Sequence, residues 1–161
     1  MALRIIMKPH HGNIDTMKSE DAVSLFEECR FAHLACHIKD DLYLVPISYI
    51  FEDGVIYSHS EPGRKIDIMR KNPHVCVQVE KVEDFFHWRS AIAWGDFEEL
   101  NGDEASEAMR LLLKKVSEEV GSEQMSSLGL DMAAQLESAI IYKIKIKKIT
   151  GRYEGHSTIP Q

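Results

Sequence analysis

One segment of this sequence combines the residue types that bind an anion. Ser58-His59-Ser60-Glu61-Pro62-Gly63-Arg64-Lys65 ends a predicted strand and begins a predicted helix. The first amides of a helix have no partners within it, the helix dipole favours an anion, and Gly63 permits close approach to the backbone. Arg64 and Lys65 add positive charge. The segment therefore predicts a phosphate site, although a helix N-terminus with solvated Arg and Lys has the same pattern.

His59 is the candidate catalytic residue of this segment. Strand alternation places it on one face with Tyr57, and places Ser58 and Ser60 on the other. An unperturbed imidazole pKa of about 6.5 suits proton delivery near neutral pH. A single His in this position is also typical of a hydrogen-bonded structural residue, so both interpretations stay open.

A second segment carries aromatic area, a cation and a hydroxyl group. Trp88, Ser90 and Trp94 fall at even spacing, so they lie on the same face of one predicted strand, and Arg89 lies between the first two. This pattern is consistent with a ligand that has a flat ring. Two tryptophans at such spacing are also typical of core or dimer-interface packing.

Metal and thiol chemistry receive little support from the sequence. The single H-x-x-x-H pair, His33 and His37, lies on a predicted strand, where residues four apart are too distant to bind one metal ion. The eight histidines form no Cys/His quartet, and His10-His11 alone cannot fill a tetrahedral site. Cys29, Cys36 and Cys76 form no C-x-x-C pair, and nothing in the sequence places a base beside them. We predict no metal site, and we predict buried free thiols in a reducing compartment.

Composition and charge exclude several classes of function. The chain has 19 Lys and Arg against 26 Asp and Glu, and its net charge of −7 would repel a nucleic-acid backbone. Hydrophobic residues make up 44% and charged residues 28%, which argues against disorder, and no apolar run approaches the roughly 20 residues of a membrane span. The N-terminus does not have the pattern of a secretory signal. We expect one domain over residues 1–161 in the cytoplasm, with no nucleic-acid or membrane partner.

The elements that must position these residues follow from periodicity. Period-two alternation predicts six strands, at 31–38, 42–52, 55–60, 75–82, 87–100 and 139–149. Helical spacing predicts helices that begin at Ser19 and that cover 63–71, 101–120 and 123–136. Residues 1–18 are predicted to form an extended arm, and residues 151–161 a short C-terminal tail.

Turn residues and strand breakers indicate how these strands connect. Lys39-Asp40-Asp41 and Glu52-Asp53-Gly54 both predict hairpin turns. Pro46 predicts an edge or a bulge in the second strand, and Gly95 predicts a bend or bulge in the fifth. Strands joined by tight turns, with helices inserted rather than alternating, favour an antiparallel barrel. The predicted class is mainly β or α+β, with six strands and flanking helices.

Five segments follow one another in a distinctive order: Phe31-Ala32-His33-Leu34-Ala35-Cys36, Leu44-Val45-Pro46-Ile47-Ser48-Tyr49, Ile56-Tyr57-Ser58-His59-Ser60 with Gly63-Arg64-Lys65, Asn72-Pro73-His74-Val75-Cys76 and Trp88-Arg89-Ser90. Taken in this order, they resemble the pyridoxamine 5′-phosphate oxidase-like split barrel that binds flavin, and within it the nitroimidazole-resistance proteins. The resemblance covers about residues 19–150.

The resemblance implies a homodimer of six-stranded split barrels that binds FMN, or FAD, at the subunit interface. Other branches of the same barrel bind haem or the deazaflavin F420, and both remain alternatives. By the same resemblance, the flavin ring would lie along Val45, Pro46, Ile47 and Ser48, and beside Trp88, Arg89 and Ser90. The phosphate would be approached by Ser58, His59 and Ser60, and it would be held by Arg64 and Lys65.

Two functions are compatible with this resemblance. The first is an oxidoreductase in which NAD(P)H reduces the flavin and the flavin reduces a nitro-aromatic or other small acceptor. The second is a flavin- or haem-binding protein for storage, sensing or stress response, which needs the same pocket but no acceptor site. The short tail after residue 150 does not match the substrate-binding segment of true pyridoxamine 5′-phosphate oxidases, which disfavours vitamin B6 oxidation.

Overall fold

A single antiparallel sheet dominates the computed structural model, which describes residues 14–120 and 139–155. Its eight strands are β1 (Asp15–Thr16), β2 (Phe31–Ile38), β3 (Asp41–Ser48), β4 (Ile50–Glu52), β5 (Val55–Ser60), β6 (His74–Asp84), β7 (His87–Glu99) and β8 (Ile140–Glu154). The helices are α1 (Ser19–Glu28), α2 (Arg64–Lys71) and α3 (Gly102–Val120). None of these helices is long and apolar enough to cross a membrane.

The sheet curls into a barrel that hydrogen bonds do not close. The strands lie in the order β3-β2-β6-β7-β8-β5-β4, and β1 pairs with β8. The two end strands, β3 and β4, are consecutive in the chain and meet only at Tyr49. No ladder joins these two strands, so the barrel has a split along β3. This architecture confirms the predicted antiparallel split barrel with flanking helices.

Tyr49 explains why the strand predicted over residues 42–52 is wrong as a single element. Its buried hydroxyl donates a hydrogen bond of 2.7 Å to the Phe26 carbonyl of α1, and its amide donates to the Arg30 carbonyl at 3.2 Å. These two anchors draw the chain away from β2. After Tyr49 the chain pairs with β5 instead, with Ile50 opposite Tyr57. The alternation of inward and outward side chains therefore continues without a break from β3 into β4, although these are two separate strands.

The barrel interior holds the main hydrophobic core. Alternate residues of each strand point inward, as the period-two pattern predicts, and α1 buries Ala22, Leu25 and Phe26 against them. The largest fully buried side chains are Tyr142, Phe26, Leu25, Leu34, Ile56, Ile66, Met69, Ile144, Val77 and Val79. A smaller cluster beneath α3 contains Leu100, Ala108 and Ile141.

The bounds of several strands agree with the prediction, and those of others differ from it. The bounds of β2 and β5 are those predicted, whereas β8 continues to Glu154, so the tail predicted from residue 151 begins inside a strand. The polar end of β8 stays in the sheet because it pairs with β7 on one side and with β1 on the other. The helix predicted over 123–136 lies outside the described residues, and so does most of the arm predicted over residues 1–18.

Gly95 lies at a bulge in the longest ladder of the sheet, as the sequence predicts. The register between β7 and β8 shifts between Trp94 and Gly95. A Cβ atom at Gly95 would overlap the carbonyl oxygen of Lys145 and come within 2.9 Å of Ile144 Cγ2. Because a carbonyl of a paired strand has little freedom to move, only glycine fits here.

We therefore expect Gly95→Ala to lower the free energy of unfolding by about 1–3 kcal/mol, the usual range for overpacking a core. Gly63→Ala is the matched control, because a Cβ atom at Gly63 would meet nothing within 4 Å. The control should stay within about 0.5 kcal/mol of wild type. Denaturant unfolding measures both, and equal losses in the two variants would contradict the close-approach explanation.

Candidate functional site

The predicted phosphate segment lies at the mouth of the split, where β5 ends and α2 begins. Ile66, Ile68 and Met69 are buried and hold α2 against β2. This packing leaves Arg64 and Lys65 in the first turn of the helix, beside the start of β3. The structure therefore brings together the helix N-terminus, two cations and the edge of the sheet.

Lys65 is a half-buried cation without a carboxylate partner in the described part of the chain. Burial lowers the pKa of its ammonium group, which is the direction expected when no neighbouring anion compensates for lost hydration. Several other basic residues have carboxylate partners: Arg70 pairs with Glu99, and Lys145 pairs with Glu98. A bound anion would compensate the charge of Lys65, so this residue has the character of a ligand-binding group.

Arg64, in contrast, already has an anionic partner. Its Nη2 atom lies 2.7 Å from both carboxyl oxygens of Asp41, and its guanidinium carbon lies 5.0 Å from the centre of the Tyr43 ring. The contact with Asp41 raises the pKa of Arg64. The sequence marks Asp41 only as a turn residue, because a contact between residues 23 apart gives no signal in local spacing.

His59 faces outward from β5, on the face that also carries Tyr57, as predicted. Partial desolvation, and then the charge of Lys65, lower the pKa of His59 below its usual value of 6.5. The imidazole is therefore mainly neutral at pH 7, and it lies close enough to Lys65 to sense its charge. The structure places the candidate proton donor beside the candidate anion site.

The serines on either side of His59 have other partners. Ser58 is fully buried, and its hydroxyl donates to the Ser48 carbonyl at 2.8 Å. This bond crosses the split and ties β5 to β3. Ser60 donates to the Glu61 carbonyl at 2.7 Å. The Ser58 hydroxyl thus faces the barrel interior, and its predicted contact with a phosphate remains a prediction.

The β3 residues predicted to line a flavin divide between the two faces of the strand. Val45 is half-buried and Ile47 is buried, so both point into the barrel, whereas Pro46 and Ser48 are exposed on the other side. Pro46 lies opposite His33 in an unbroken register, and β3 has no second neighbour among the described strands. The edge position predicted from Pro46 is therefore confirmed, and no bulge occurs there.

An exposed apolar surface continues from β3 across the sheet, and we call it the outer face. Leu44, Ala35, Cys76 and Trp94 are successive neighbours by register across β3, β2, β6 and β7. Leu44 is 64% exposed and Trp94 39% exposed, which is unusual for such large apolar side chains. A cavity of about 260 Å³ on this face is lined by Ala35, Cys36, His37, Leu42, His74, Val75, Cys76 and Trp94.

The structure gives separate hydrogen-bond partners to Trp88, Arg89 and Ser90. Trp88 donates from Nε1 to Glu154 at 3.0 Å, and Ser90 accepts a hydrogen bond from Gln78 at 3.2 Å. Arg89 points to the opposite side of β7, where its Nη2 atom donates to Glu28 of α1 at 3.1 Å. Arg89 therefore fastens α1 to the sheet and lies apart from the outer face.

The three thiols differ in burial, and the described residues hold no cluster of metal ligands. Cys36 is buried, whereas Cys29 and Cys76 are half-buried, so burial of all three thiols was wrong. Burial raises the pKa of each thiol, which disfavours the reactive thiolate. Across residues 14–120 and 139–155, no three His, Cys, Asp or Glu side chains gather as a metal ion would require.

A barrel that stays open along one strand, with a cationic helix start at the opening, places the chain among the split-barrel proteins. The chain belongs to the pyridoxamine 5′-phosphate oxidase family, whose sequence profile matches residues 18–153. The family resemblance found in the sequence is thereby confirmed.

The sequence identity between this chain and individual similar proteins is low. An FAD-binding protein of Mesorhizobium loti is 26% identical, with a TM-score of 0.69 over 88% of this chain and 99% of its own. A candidate 5-nitroimidazole antibiotic resistance protein of Bacteroides thetaiotaomicron is 17% identical, with a TM-score of 0.65 over 91% of this chain and 95% of its own. An uncharacterized protein of Rhizobium meliloti (strain 1021) is 34% identical over 87 residues, which span 54% of this chain and 58% of that protein.

Since Lys65 has no carboxylate partner among residues 14–120 and 139–155, we predict that it does not stabilise the fold. Lys65→Met should leave the free energy of unfolding unchanged or raise it by up to about 1 kcal/mol, because it removes a half-buried charge and keeps the apolar stem. Arg70→Met, in the same helix, should lower stability because it breaks the pair with Glu99. Thermal and denaturant unfolding of the ligand-free proteins test this, and a marked loss in Lys65→Met would contradict it.

Proposed function

We propose that this protein is a flavin-dependent oxidoreductase that holds FMN or FAD through the phosphate next to the flavin ribityl chain, at the start of α2. The observation that carries the proposal is the half-buried ammonium of Lys65 at the start of a helix, which has no carboxylate partner in the described part of the chain. Membership of the pyridoxamine 5′-phosphate oxidase family and similarity to an FAD-binding protein support it.

The residues present fit both the phosphate and the ring of a flavin nucleotide. A phosphate would bind to Lys65 and to the free amides of the first turn of α2. Nothing lies within 4 Å of the position that a Cβ atom would take at Gly63, so a ligand has room to approach the backbone there. The flat apolar ring would lie against the outer face, where Leu44 and Trp94 are exposed.

In this arrangement the protein supplies position, exclusion of water and a proton. A bound flavin would accept two electrons from NAD(P)H and transfer them to a nitro-aromatic or other small acceptor. Lys65 anchors the phosphate, and the outer face keeps water from one side of the ring. His59 is near the anchor and can donate a hydrogen bond or a proton to a reduced acceptor.

The proposal includes a homodimer. Exposed apolar side chains on the outer face and its margin, among them Phe31 at 72%, Leu42 at 80% and Leu44 at 64%, leave a flat ring uncovered on one side in a single chain. A second copy would cover the ring and these side chains together, as symmetric interfaces do. Each site would then be lined by both chains.

The function is tested by flavin titration of the protein and of two variants. Lys65→Met should weaken flavin binding by about 10- to 150-fold, the effect of losing a hydrogen bond to a charged group. Arg70→Met removes a cation of the same helix that already has a partner, and it should bind as the wild type does. Equal affinities for all three proteins would contradict the anchor, and a Soret band without flavin would indicate haem.

We expect a dimer that depends on the outer face. Light scattering should give twice the 18.4 kDa of one chain. Leu44→Glu should yield a monomer with weakened flavin binding, because it places a charge in the centre of the proposed interface. Val116→Glu introduces the same charge on α3, and this control should remain dimeric. A monomeric wild type that retains its flavin would contradict the shared site.

His59 should affect turnover more than flavin retention. We expect His59→Ala to lower kcat by about 10²-fold, the low end for a lost general acid, with flavin still bound. Since the pKa of His59 lies below 6.5, a rate that needs the imidazolium should rise as the pH falls through that pKa, and the variant should lack this rise.

The measurement is steady-state oxidation of NADH or NADPH with a nitroimidazole acceptor. If His59→Ala instead loses its flavin and regains full activity when flavin is added back, His59 is an anchor and water supplies the proton. If the wild type binds flavin but oxidises neither nucleotide, the storage or sensing role replaces the oxidoreductase.

A further inference from the structure

We propose that the turn between β6 and β7 of each chain covers the flavin ring held by the partner chain, and that the partner's Phe85 contacts that ring. This inference rests on the proposed function, because it needs both the flavin site and the homodimer. We call Asp84-Phe85-Phe86-His87 the aromatic turn. Through this turn the second chain would complete a site that a single chain leaves open on one side.

The aromatic turn presents exposed apolar side chains on a fixed backbone. Phe85 is 92% exposed, the largest value among the large apolar side chains in the described part of the chain, and Val82 and Phe86 near it are exposed as well. The Asp84 carboxylate holds the turn, because it accepts a hydrogen bond from the Phe86 amide at 2.7 Å and contacts His87 Nδ1 at 2.9 Å. An apolar patch that a rigid turn exposes in this way is typical of an interaction surface.

This turn lies at one end of the outer face, and the proposed ring position lies at the other. The outer face crosses β6 at Cys76, and Val82 is six residues further along the same strand on the same face. At the usual rise of a strand, the two residues are about 20 Å apart. We call the end of the outer face with Leu44 and Trp94 the ring end, and the end with Val82 and Phe85 the turn end. The ring end of one chain is thus out of reach of its own turn.

Two copies can pack outer face to outer face in two symmetric ways. A two-fold axis parallel to the strands brings like ends together, with turn end on turn end. A two-fold axis in the same plane but across the strands exchanges the ends, so that each turn end lies over the partner's ring end. The second arrangement brings the partner's Phe85 to the flavin ring.

The charges at the two ends favour the arrangement with exchanged ends. Glu80 and Glu83 are exposed at the turn end, and neither has a cationic partner among residues 14–120 and 139–155. At the ring end, Lys148 is exposed with its Nζ atom 5.2 Å from the centre of the Trp94 ring, and it has no carboxylate partner among the same residues. Packing of like ends would bring these carboxylates together and the two Lys148 side chains together. Exchanged ends instead bring the carboxylates of each chain to Lys148 of the partner subunit.

Other charges on the outer face are offset locally. At the turn end, Arg152 and Glu154 lie two residues apart on the same side of β8. At the ring end, Asp96 contacts both His74 and Lys147. Each of these groups contains both signs, so the turn end stays acidic and Lys148 keeps the ring end basic even after a flavin phosphate has neutralised the anchor in α2.

The consequence for the site is exclusion of water from the second face of the ring. The outer face of one chain covers one side of a flat ring, and an aromatic side chain can pack on the other side in an offset or edge-on geometry. The partner's Phe85 supplies such a side chain from a turn that Asp84 already holds in place. The bound ring would then be shielded from small solutes in the solvent.

Quenching of flavin fluorescence by iodide tests the contact, because iodide reaches a ring that is open to solvent. In the FMN-loaded dimer, Phe85→Ser should raise the quenching of bound FMN to nearly that of free FMN. It should also weaken FMN binding about 2- to 10-fold, the effect of losing one aromatic pair. Phe85→Tyr keeps the ring and is the matched control, so its FMN should be shielded as in the wild type. Both variants should remain folded dimers, because Phe85 is exposed in the single chain.

A mixed dimer shows which chain contributes the turn. Lys65→Met and Phe85→Ser chains are co-expressed with different affinity tags, and dimers that carry both tags are isolated. FMN is added at a concentration that fills Phe85→Ser dimers and leaves Lys65→Met dimers empty. The occupied site of the mixed dimer then has Lys65 from one chain and the partner's Phe85 over the ring, so its FMN should be shielded as in the wild type.

Two results would overturn the inference while the flavin site itself stands. Exposed FMN in the mixed dimer would mean that the partner's turn does not cover the ring, and unchanged quenching in Phe85→Ser would mean that Phe85 of neither chain does. A wild type that binds no flavin, or that binds it as a monomer, contradicts the proposed function instead, and the inference fails with it.

Discussion

The opening in the barrel depends on the attachment of Tyr49 to α1. Because its hydroxyl and amide bond to Phe26 and Arg30, the chain passes from one end of the sheet to the other without a ladder between them. Only a few contacts span the gap, among them the hydrogen bond from Ser58 to the Ser48 carbonyl. The open edge of β3 and the start of α2 consequently meet at one place. A closed barrel would leave no such edge for a ligand that binds between strand and helix.

Charge is distributed unevenly around this opening. Along β8, lysines such as Lys143 and Lys145 are compensated by Glu98, and Arg89 is compensated by Glu28. Lys65 is half-buried and lacks such a partner in the part of the chain that the structure describes. A protein stabilised only for folding would gain from pairing or removing that charge. A half-buried cation without a partner fits a group whose counter-charge is supplied by a bound ligand, and it lowers the stability of the ligand-free state.

Local pattern was sufficient for much of the fold. Period-two alternation predicted β2 and β5 to the residue, and Gly95 indicated the bulge, because both depend on neighbouring residues along one strand. The division at Tyr49 was not predictable, since the alternation continues through it and its hydrogen-bond partners, Phe26 on α1 and Arg30 just after α1, are distant in the chain. For the site, the sequence predicts Lys65 and His59 from their positions, and their roles stay predictions. It missed Asp41 as the partner of Arg64, and it grouped Arg89 with Trp88 and Ser90, because these contacts join residues distant in the chain.

The free edge of β3 has a consequence for how copies of this protein can associate. An edge strand exposes a row of backbone donors and acceptors that another chain can extend, which leads to open-ended stacking of strands. Pro46 lacks an N–H group and interrupts that row near its middle. Association through added strands is thereby hindered, while association through the side chains of the sheet surface is not. One imino acid thus favours closed, face-to-face assemblies over fibrous ones.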